Sequence, residues 1–509
     1  MPDKNKNNLL KSLEEITENY VFTPDNFIKM IFILMRIKAD IPVIMMGETG
    51  CGKTSLIRKL SELMNNGETY NMKILNIHPE ITAQNITEFI KNEVNEASII
   101  LSKNESIKFM NNNNYIGQIY FEKKIWIFLD ELNTCKSMGL ISELFCKKSF
   151  NGEKLPSNVI LIGACNPYRY GIRMEEIGLD VDLAYKEKED NLNDKQKEII
   201  RHNSLDSKNK LVYNVNPLPF SLLYYVFNFG NLGKEDEVKY IEKMIQYNFD
   251  KIIEKNMKKK ELSKLIKELP KLKELAKKLI EKSHCFIREK YDKSSISLRE
   301  IQRFNLFFKF FYENLSDNFE LEKEIQFSNS FKPYNIIISS IYLSIYICYY
   351  LRLTDKELRK QLYDILNKKL YNKNNNLLEN DFLFICKAEQ DFLIENINIE
   401  KGISKNNALI DNLFSLFVAI NNKVPIFIVG KPGSSKSLSV QLITKAMKGS
   451  YSSNLFFKKL PKIIMNSYQG SMGSTSESVE NIFTRAKNVL NNFEKEKKNI
   501  ISIGFSTRW

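Results

Sequence analysis

The 509-residue sequence is poor in the side chains that most often bind transition metals or form disulfides. It contains seven cysteines and three histidines, and no two of the cysteines form a C-x-x-C pair. An odd and scattered set of cysteines argues against a zinc site and against the disulfide framework of a small secreted protein. Three histidines leave little for a histidine-based metal site or catalytic triad.

The sequence also lacks an apolar run long enough to span a membrane. Its most apolar stretch, residues 336–351, has 16 residues and three serines, whereas a spanning helix needs about 20 apolar residues. We predict a buried helix there. Residues 1–8 are rich in lysine and asparagine, without the apolar core of a signal peptide. These features predict a cytoplasmic protein with no transmembrane segment.

There is no excess of acidic residues, because 75 Lys and Arg outweigh 61 Asp and Glu to give a net charge of +14. Much of the excess lies in residues 251–293, where Leu and Ile recur at helical spacing among Lys and Glu. That pattern is typical of a solvated helix surface, and the alternative is a patch for nucleic acid or anionic membrane. The lysine-rich string 255–282 has no aromatic residues and its lysines alternate with glutamates. We therefore predict no specific nucleic-acid partner.

Four short apolar runs predict a buried parallel sheet: residues 42–46, 72–77, 125–129 and 159–164. Helical patterns separate these runs, which favours an α/β fold with helices on both faces of the sheet. From about residue 216 to 400 helical periodicity dominates. We predict four segments: an α/β subdomain at 1–215, a helical lid at 216–330, a helical connector at 331–405 and a second α/β module at 406–509.

The internal similarity of two segments supports that division. In both segments, beginning at Ile41 and at Val424, a helical stretch precedes an apolar run, a Gly-rich turn, a Lys-[Ser/Thr] pair and another helical pattern. The first glycines of the two turns, Gly47 and Gly430, are 383 residues apart. That period is too long for a solenoid repeat and predicts two large tandem modules of one kind.

The Gly-rich turn of the first copy matches the phosphate-loop pattern G-x-x-x-x-G-K-[ST]. Glycines let the backbone curl so that successive N–H groups face phosphate oxygens, and the following helix N-terminus favours their negative charge. Lys53 is predicted to reach the β- and γ-phosphates, and Thr54 to offer a hydroxyl ligand to Mg²⁺. The predicted nucleotide-binding residues of this loop are Gly47, Glu48, Thr49, Gly50, Cys51, Gly52, Lys53 and Thr54.

A pair of carboxylates follows the apolar run 125–129. Asp130 would hold Mg²⁺ through its water shell, and Glu131 would orient or activate the attacking water. The pair could instead be a helix N-cap with an acidic first turn. Its position downstream of a phosphate loop favours the catalytic interpretation.

Asparagine and arginine side chains complete the predicted site. Asn166 ends the fourth apolar run and could contact the γ-phosphate and the attacking water, although an Asn-Pro pair could also simply form a turn. Arg299 could reach the γ-phosphate from the lid, with Arg303 one helical turn further on. The alternative is an ordinary surface arginine. Arg169 and Arg173 are candidates for an arginine finger that acts on a neighbouring module.

Together these elements resemble an AAA+ ATPase module. The sequence around them resembles the AAA+ core of the mysterin-type giant ubiquitin ligases. Midasin and dynein heavy chains share the "GETG-GKT" loop but resemble its flanks less. The segments that carry the resemblance are "IPVIMMGETGCGKTSLI" at 41–57, "IFLDELNTCKSMGLISELFCKKSFNGEKLPSNVILIGACNPYR" at 127–169, "YNVNPLPFSLLYYVFNFGNL" at 213–232, "VPIFIVGKPGSSKSLSVQLITKAMKG" at 424–449 and "NSYQGSMGSTSESVENIFTRAKN" at 466–488.

The resemblance implies a tandem AAA+ P-loop core that binds and hydrolyses ATP with Mg²⁺. Its partners would be neighbouring AAA+ modules in the same polypeptide or in an oligomer. The sequence has no Cys/His cluster suitable for a RING domain. Ubiquitin transfer, and contact with ubiquitin machinery, is therefore implied only for a longer parent protein.

The second copy departs from the pattern at Ser435, where the usual loop has glycine. A side chain there could crowd the phosphates or require a modified turn. The mysterin-type loop is similar, so nucleotide binding is still predicted, with Ser437 as a metal ligand. No acidic pair follows the last apolar run, so we expect this module to be truncated and unable to hydrolyse. The predicted binding residues are Gly430, Lys431, Pro432, Gly433, Ser434, Ser435, Lys436 and Ser437.

Two kinds of function remain open from the sequence. One is an ATPase whose first module hydrolyses ATP through Glu131, Asn166 and Arg299, as a mysterin-type protein or as a midasin- or dynein-like remodelling enzyme. The other is a nucleotide-dependent switch or scaffold that does not hydrolyse. A nucleic-acid motor would rest on the charge of +14 alone.

Overall fold

The computed structural model describes residues 20–64, 71–110, 124–168, 213, 215–230, 232–256, 269–291, 293–321, 333–367, 382–471, 474–494 and 500–508. The chain forms two compact units. The first comprises Met1–Lys243 and Ile287–Arg299, and the second comprises Met244–Phe286 and Glu300–Trp509. Arg169, Arg173 and part of the lysine-rich segment lie outside the described residues.

A five-stranded parallel sheet is the centre of the first unit. The described strands of this unit are β1 (Val43–Gly47), β2 (Met72–Asn76), β3 (Ile125–Asp130), β4 (Ser149–Phe150), β5 (Glu153–Lys154), β6 (Val159–Cys165) and β7 (Val226–Gly230). Strands β4 and β5 form a separate antiparallel hairpin. The large sheet has the order β2-β3-β6-β1-β7, and every neighbouring pair is parallel. Strands β1 and β3 are therefore not adjacent, since β6 lies between them.

Helices cover both faces of this sheet because its strands are apolar on both sides. The helices in this part of the chain are α1 (Pro24–Lys38), α2 (Lys53–Met64), α3 (Ala83–Met110), α4 (Met138–Ser142), α5 (Phe220–Leu223) and α6 (Lys234–Asn256). Ile127 and Leu129 of β3 belong to the buried cluster that includes residues of α3, whereas Trp126 and Phe128 belong to the cluster with residues of α1 and α2. This alternation is the two-residue period of a strand buried on both faces.

The predicted fold class is confirmed, with one error in the element order. All four predicted strands are present, and each of their ends lies within one residue of the prediction. The prediction that helices dominate from residue 216 is wrong at β7, which is the fifth strand of the sheet. Its sequence, VFNFG, is short and is flanked by aromatic residues at helical spacing, so periodicity did not separate it from its neighbours.

The second unit is mainly helical. The remaining helices in the described part of the chain are α7 (Leu269–Lys290), α8 (Leu298–Leu321), α9 (Pro333–Ile345), α10 (Lys356–Asn367), α11 (Phe382–Asn396), α12 (Asn407–Asn421), α13 (Lys436–Ala446), α14 (Leu455–Lys458) and α15 (Ser476–Glu494). Helix α9 and the π-helical turn Tyr346–Tyr350 after it are largely buried, so the prediction of a buried helix at 336–351 is confirmed. A search of the described residues finds no helix with the length and apolarity that a bilayer crossing requires.

The second unit contains a parallel strand pair, β8 (Lys462–Gly470) and β9 (Ile500–Arg508). The apolar run before the second Gly-rich turn, residues 424–429, matches β1 in sequence but forms no strand. Phe427 in this run is 92% exposed. Apolar composition alone does not make a strand, because a strand needs a hydrogen-bonding neighbour. Among the described residues, β8 and β9 form a two-stranded sheet that does not include this run.

Candidate nucleotide-binding sites

The first Gly-rich turn joins the carboxyl end of β1 to the amino end of α2. Gly50 and Gly52 both have left-handed backbones, with φ of 71° and 95°. This region is strained for residues that carry a Cβ, so the two positions favour glycine. The turn therefore presents its backbone N–H groups at the start of a helix, which is where anions bind.

Lys53, the first residue of α2, is buried and lies against the turn that precedes it. Its ammonium donates to the carbonyl oxygen of Gly47 at 2.5 Å and to that of Glu48 at 2.9 Å. The two carbonyl oxygens accept from two of the three N–H donors of the buried ammonium. Burying that charge without such partners would be costly. The cation is thus held against the turn that precedes α2.

Thr54 and Asp130 meet across the carboxyl edge of the sheet. The Thr54 hydroxyl donates to Oδ2 of Asp130 at 3.1 Å, while Oδ1 of the same carboxylate accepts from the backbone N–H of Glu131 at 3.0 Å. Parallel strands bring their carboxyl ends to one edge, so residues 76 positions apart in sequence become neighbours here. A hydroxyl and a carboxylate are the hard oxygen ligands that Mg²⁺ prefers.

Glu131 follows Asp130 with a left-handed backbone of φ 59° and ψ 39°. This conformation is rare for a residue with a long side chain and it ends β3 sharply. Glu131 is exposed, unlike the buried residues that follow it. The structure therefore places the predicted water-activating carboxylate at the surface of the sheet edge, next to Asp130.

Asn166 comes directly after β6 and is buried. Its backbone is bonded to the side chain of Asn133, a residue that the sequence analysis did not single out. Strand β6 lies between β1 and β3. Its carboxyl end is therefore flanked by the strands that lead to the first Gly-rich turn and to the acidic pair.

Tyr213 is a second residue that sequence reasoning missed. Its hydroxyl donates to the carboxylate of Glu48, and it lies 3.5 Å from the backbone nitrogen and 3.4 Å from the hydroxyl of Thr49. Burial raises the pKa of Tyr213, so the phenol stays protonated and can donate. No local sequence pattern predicts this contact, because it joins residues 165 positions apart.

The backbone segment that carries Arg299 lies beside the first Gly-rich turn. Ser297, two residues before it, packs directly on Gly50: a Cβ placed on that glycine would lie 2.4 Å from the Ser297 Cβ. The Ser297 hydroxyl also accepts from the backbone N–H of Arg299 at 3.3 Å. The Arg299 side chain itself is exposed. Arg303 pairs with Glu300 at 3.1 Å within the second unit.

The second Gly-rich turn repeats the lysine geometry of the first. Lys436 donates to the carbonyl oxygens of Gly430 and Lys431, the latter at 2.8 Å, and lies 3.3 Å from the Ser434 hydroxyl. Ser435 has a left-handed backbone with φ of 58°, as the glycine at the same place in the first loop does. A modified turn is therefore not needed, because serine adopts the conformation of the glycine that it replaces.

The surroundings of the two predicted metal ligands, Thr54 and Ser437, differ. Ser437, the second residue of α13, is exposed. The described strand end of β9 carries Ser506, Thr507 and Arg508 rather than an acidic pair. Within the residues that the structure describes, only the first turn has a carboxylate hydrogen-bonded to its Ser/Thr position.

Comparison with known proteins identifies both modules. Two family profiles described as "RNF213 AAA domain" match residues 20–169 and residues 402–505. The zebrafish (Danio rerio) protein named E3 ubiquitin-protein ligase rnf213-beta is 32% identical over 487 residues, which is 94% of this chain and 8% of the relative. Human and mouse E3 ubiquitin-protein ligase RNF213 are each 30% identical over 92% of the chain and 8% of the relative. The chain thus spans about a twelfth of these relatives' length.

Proposed function

We propose, from the premise that this chain is a tandem AAA core of the RNF213 (mysterin) type, that its first module binds MgATP and hydrolyses it. The observation that carries the proposal is the hydrogen bond of 3.1 Å between Thr54 and Asp130. It joins the predicted Mg²⁺ ligand of the phosphate loop to the predicted acidic ligand from another strand. The buried ammonium of Lys53 beside the same loop supplies the positive charge that a triphosphate requires.

Each residue of the first site would have a separate task. The backbone N–H groups of the turn 47–52 and the Lys53 ammonium would bind the phosphates, and Thr54 and Asp130 would hold Mg²⁺ directly or through water. The metal would bridge phosphate oxygens and offset their charge. Glu131 would accept a proton from the attacking water while Asn166 orients that water. Arg299 would contact the γ-phosphate from the segment whose Ser297 packs on Gly50.

The second module is proposed to bind nucleotide without hydrolysing it. Lys436 is placed as Lys53 is, which supports phosphate binding, whereas the exposed Ser437 has no carboxylate beside it in the described residues. Hydrolysis at one site and retention at the other would make the chain a motor with a built-in nucleotide switch. If neither site hydrolyses, the switch or scaffold function is the second candidate.

Ubiquitin transfer is a proposal for a longer protein only. The relatives are named as ubiquitin ligases, and this chain matches about 8% of their length. We propose that the AAA core acts in such a protein beside further AAA modules and the ubiquitin machinery. ATP and ubiquitin are both available in the cytoplasm, which would be its site of action. A midasin- or dynein-like remodelling enzyme would share the first site.

The variant Glu131→Gln tests hydrolysis. The substitution keeps the size of the side chain and removes its ability to accept a proton, so phosphate release should fall by about 10²-fold or more while ATP binding persists. Steady-state phosphate release and fluorescent-nucleotide titration measure the two quantities. Glu153→Gln, at an exposed carboxylate in the β4–β5 hairpin, is the control and should change neither. Unchanged turnover in the Glu131 variant would contradict the proposal.

A further inference from the structure

The turn that follows the acidic pair is bonded to two other strand ends. Leu132–Thr134 forms one turn of 3₁₀-helix, and all three of its residues are buried. The Thr134 hydroxyl lies 3.2 Å from the carbonyl oxygen of Ile77, just after β2, and 2.9 Å from that of Glu131, so that its one proton is shared between the two acceptors. The turn is therefore fixed to the neighbouring strand end on one side of β3.

On the other side of β3, Asn133 makes the corresponding connection to β6. Its side-chain N–H donates to the carbonyl oxygen of Asn166 at 2.7 Å, and its side-chain oxygen accepts from the backbone N–H of Asn166 at 3.3 Å. Asn133 is 2% exposed and Asn166 is 6% exposed. An asparagine amide has one donor side and one acceptor side, so it pairs with both backbone groups of a single residue.

The backbone of Asn133 is used as well. Its carbonyl oxygen accepts from the N–H of Asn216 at 2.7 Å, and the side chain of Asn216 donates to the carbonyl oxygen of Cys135 at 3.4 Å. Residue 216 begins the segment that leads to α5 and β7. The turn after Glu131 thus connects β3, the ends of β2 and β6, and the approach to β7.

We infer that Asn133 is a positioning residue for hydrolysis in the first module. Asn133 lies two residues after Glu131 and its side chain holds the backbone of Asn166. The two groups proposed to handle the attacking water, Glu131 and Asn166, therefore keep one mutual geometry. Small errors in such geometry reduce turnover strongly while leaving ground-state binding unchanged. The inference rests on the proposed ATPase function. It assigns Asn133 no contact with nucleotide, whose phosphates the loop at 47–54 would bind.

The decisive variant is Asn133→Ala. We expect kcat for ATP hydrolysis to fall by about 10-fold or more, with the dissociation constant for ATP within about 2-fold of wild type. Asn158→Ala is the matched control: Asn158 is also a buried asparagine, and its side chain donates to the carbonyl oxygen of Ala97 at 2.8 Å. Asn158 lies before β6 rather than after it, at the opposite end of the strand from Asn166. Replacing Asn158 should therefore lower thermal stability without lowering kcat selectively over ATP affinity.

A double-mutant cycle separates positioning from a general loss of structure. If Asn133 acts through Asn166, its replacement should have little further effect in an Asn166→Ala background. Full multiplication of the two effects would overturn the inference, as would an unchanged kcat in Asn133→Ala. An equal loss of kcat and of ATP affinity would also overturn it.

Two further measurements keep the inference testable if alanine at 133 prevents folding or if hydrolysis is absent. Asn133→Asp has the same size but loses the donor to the Asn166 carbonyl, and a wild-type kcat in the folded variant would overturn the inference. Amide hydrogen exchange of the full chain needs no activity: the Asn166 amide should exchange faster in either Asn133 variant and not in Asn158→Ala. No change there would refute positioning. A wild-type turnover equal to that of Glu131→Gln would instead refute the proposed function.

Discussion

The two modules have the same helix and turn before their Gly-rich turns but differ in what surrounds that helix. Thr23 caps α1 by accepting from the N–H of Asn26, and Asn406 caps α12 by accepting from the N–H of Leu409. Both helices are followed, two residues after their last residue, by a left-handed residue, Asp40 or Lys423. Each pair of positions is 383 residues apart, so the chain carries two copies of one structural unit without an insertion between cap and loop.

The outer face of the helix is where the copies diverge. Ile31 and Met35 of α1 are exposed, the latter by 60%, whereas the equivalent Phe414 and Val418 of α12 are buried. Phe414 stacks on Phe311 with a ring separation of 6.1 Å. The same helix face is therefore exposed in one module and buried in the other. Sequence periodicity does not distinguish these two cases.

The largest effect should come from introducing the same charge at equivalent positions of these helices. Val418 is fully buried, so Val418→Asp would bury a carboxylate and should cost about 4 kcal/mol. Met35→Asp, at an exposed position, should change stability by less than about 0.5 kcal/mol. Thermal unfolding of the two variants measures the difference. Equal destabilisation would show that the outer face of α1 is buried after all.

Much of the first module was predictable because its signals are local. The Gly-rich turn, the acidic pair and four of the five strands follow from runs of fewer than ten residues. The β7 strand, the run at 424–429 and the Asn133 and Tyr213 contacts were not predictable, since each depends on a partner far away in sequence. The roles assigned to Glu131, Asn166 and Arg299 remain predictions.

The next largest effect should be a difference in phosphate release between variants of the two equivalent lysines, Lys53 and Lys436. Lys53→Ala removes a charged donor from the first loop and should reduce phosphate release by about 10²-fold. Lys436→Ala removes the equivalent donor from the second loop, so it should lower the number of bound nucleotides while release changes by less than about 3-fold. Titration with labelled ATP beside a phosphate-release assay checks both. An equal loss of release in the two variants would contradict the division of tasks between the modules.

A smaller effect is expected at Gly52 and Ser435, equivalent positions that carry different residues with the same left-handed backbone. Left-handed backbone costs a non-glycine residue about 1 kcal/mol, partly offset by the freedom that glycine gains in the unfolded chain. Ser435→Gly should therefore stabilise the second unit by about 0.5–1 kcal/mol, and Gly52→Ser should destabilise the first by at least as much. Thermal unfolding without nucleotide measures both changes. Destabilisation by Ser435→Gly would mean that the serine side chain makes a compensating contact.

The smallest effect tests how the helical connector supports the second loop. Three side chains, Arg359, Gln390 and Tyr346, bond to the carboxylate of Asp411 on α12 at 2.9–3.3 Å. Asn412, the next residue, donates to the carbonyl oxygen of Ser434 at 3.1 Å. These contacts hold α12 in place. The side-chain amide of Asn412 in turn holds Ser434, the residue before the left-handed Ser435.

Asn412→Ala should weaken nucleotide binding at the second site by about 3-fold, the value of one net hydrogen bond. The measurement is made in a Lys53→Ala background, so that only the second loop contributes. Asn421→Ala is the matched control, because Asn421 lies on the same helix and bonds only within it, to Phe417 at 2.7 Å. If both variants weaken binding equally, general loosening of α12 explains the effect. If only Asn412→Ala does, a single amide carries the influence of the connector to the loop, and the serine at 435 is tolerated because the residue before it is held.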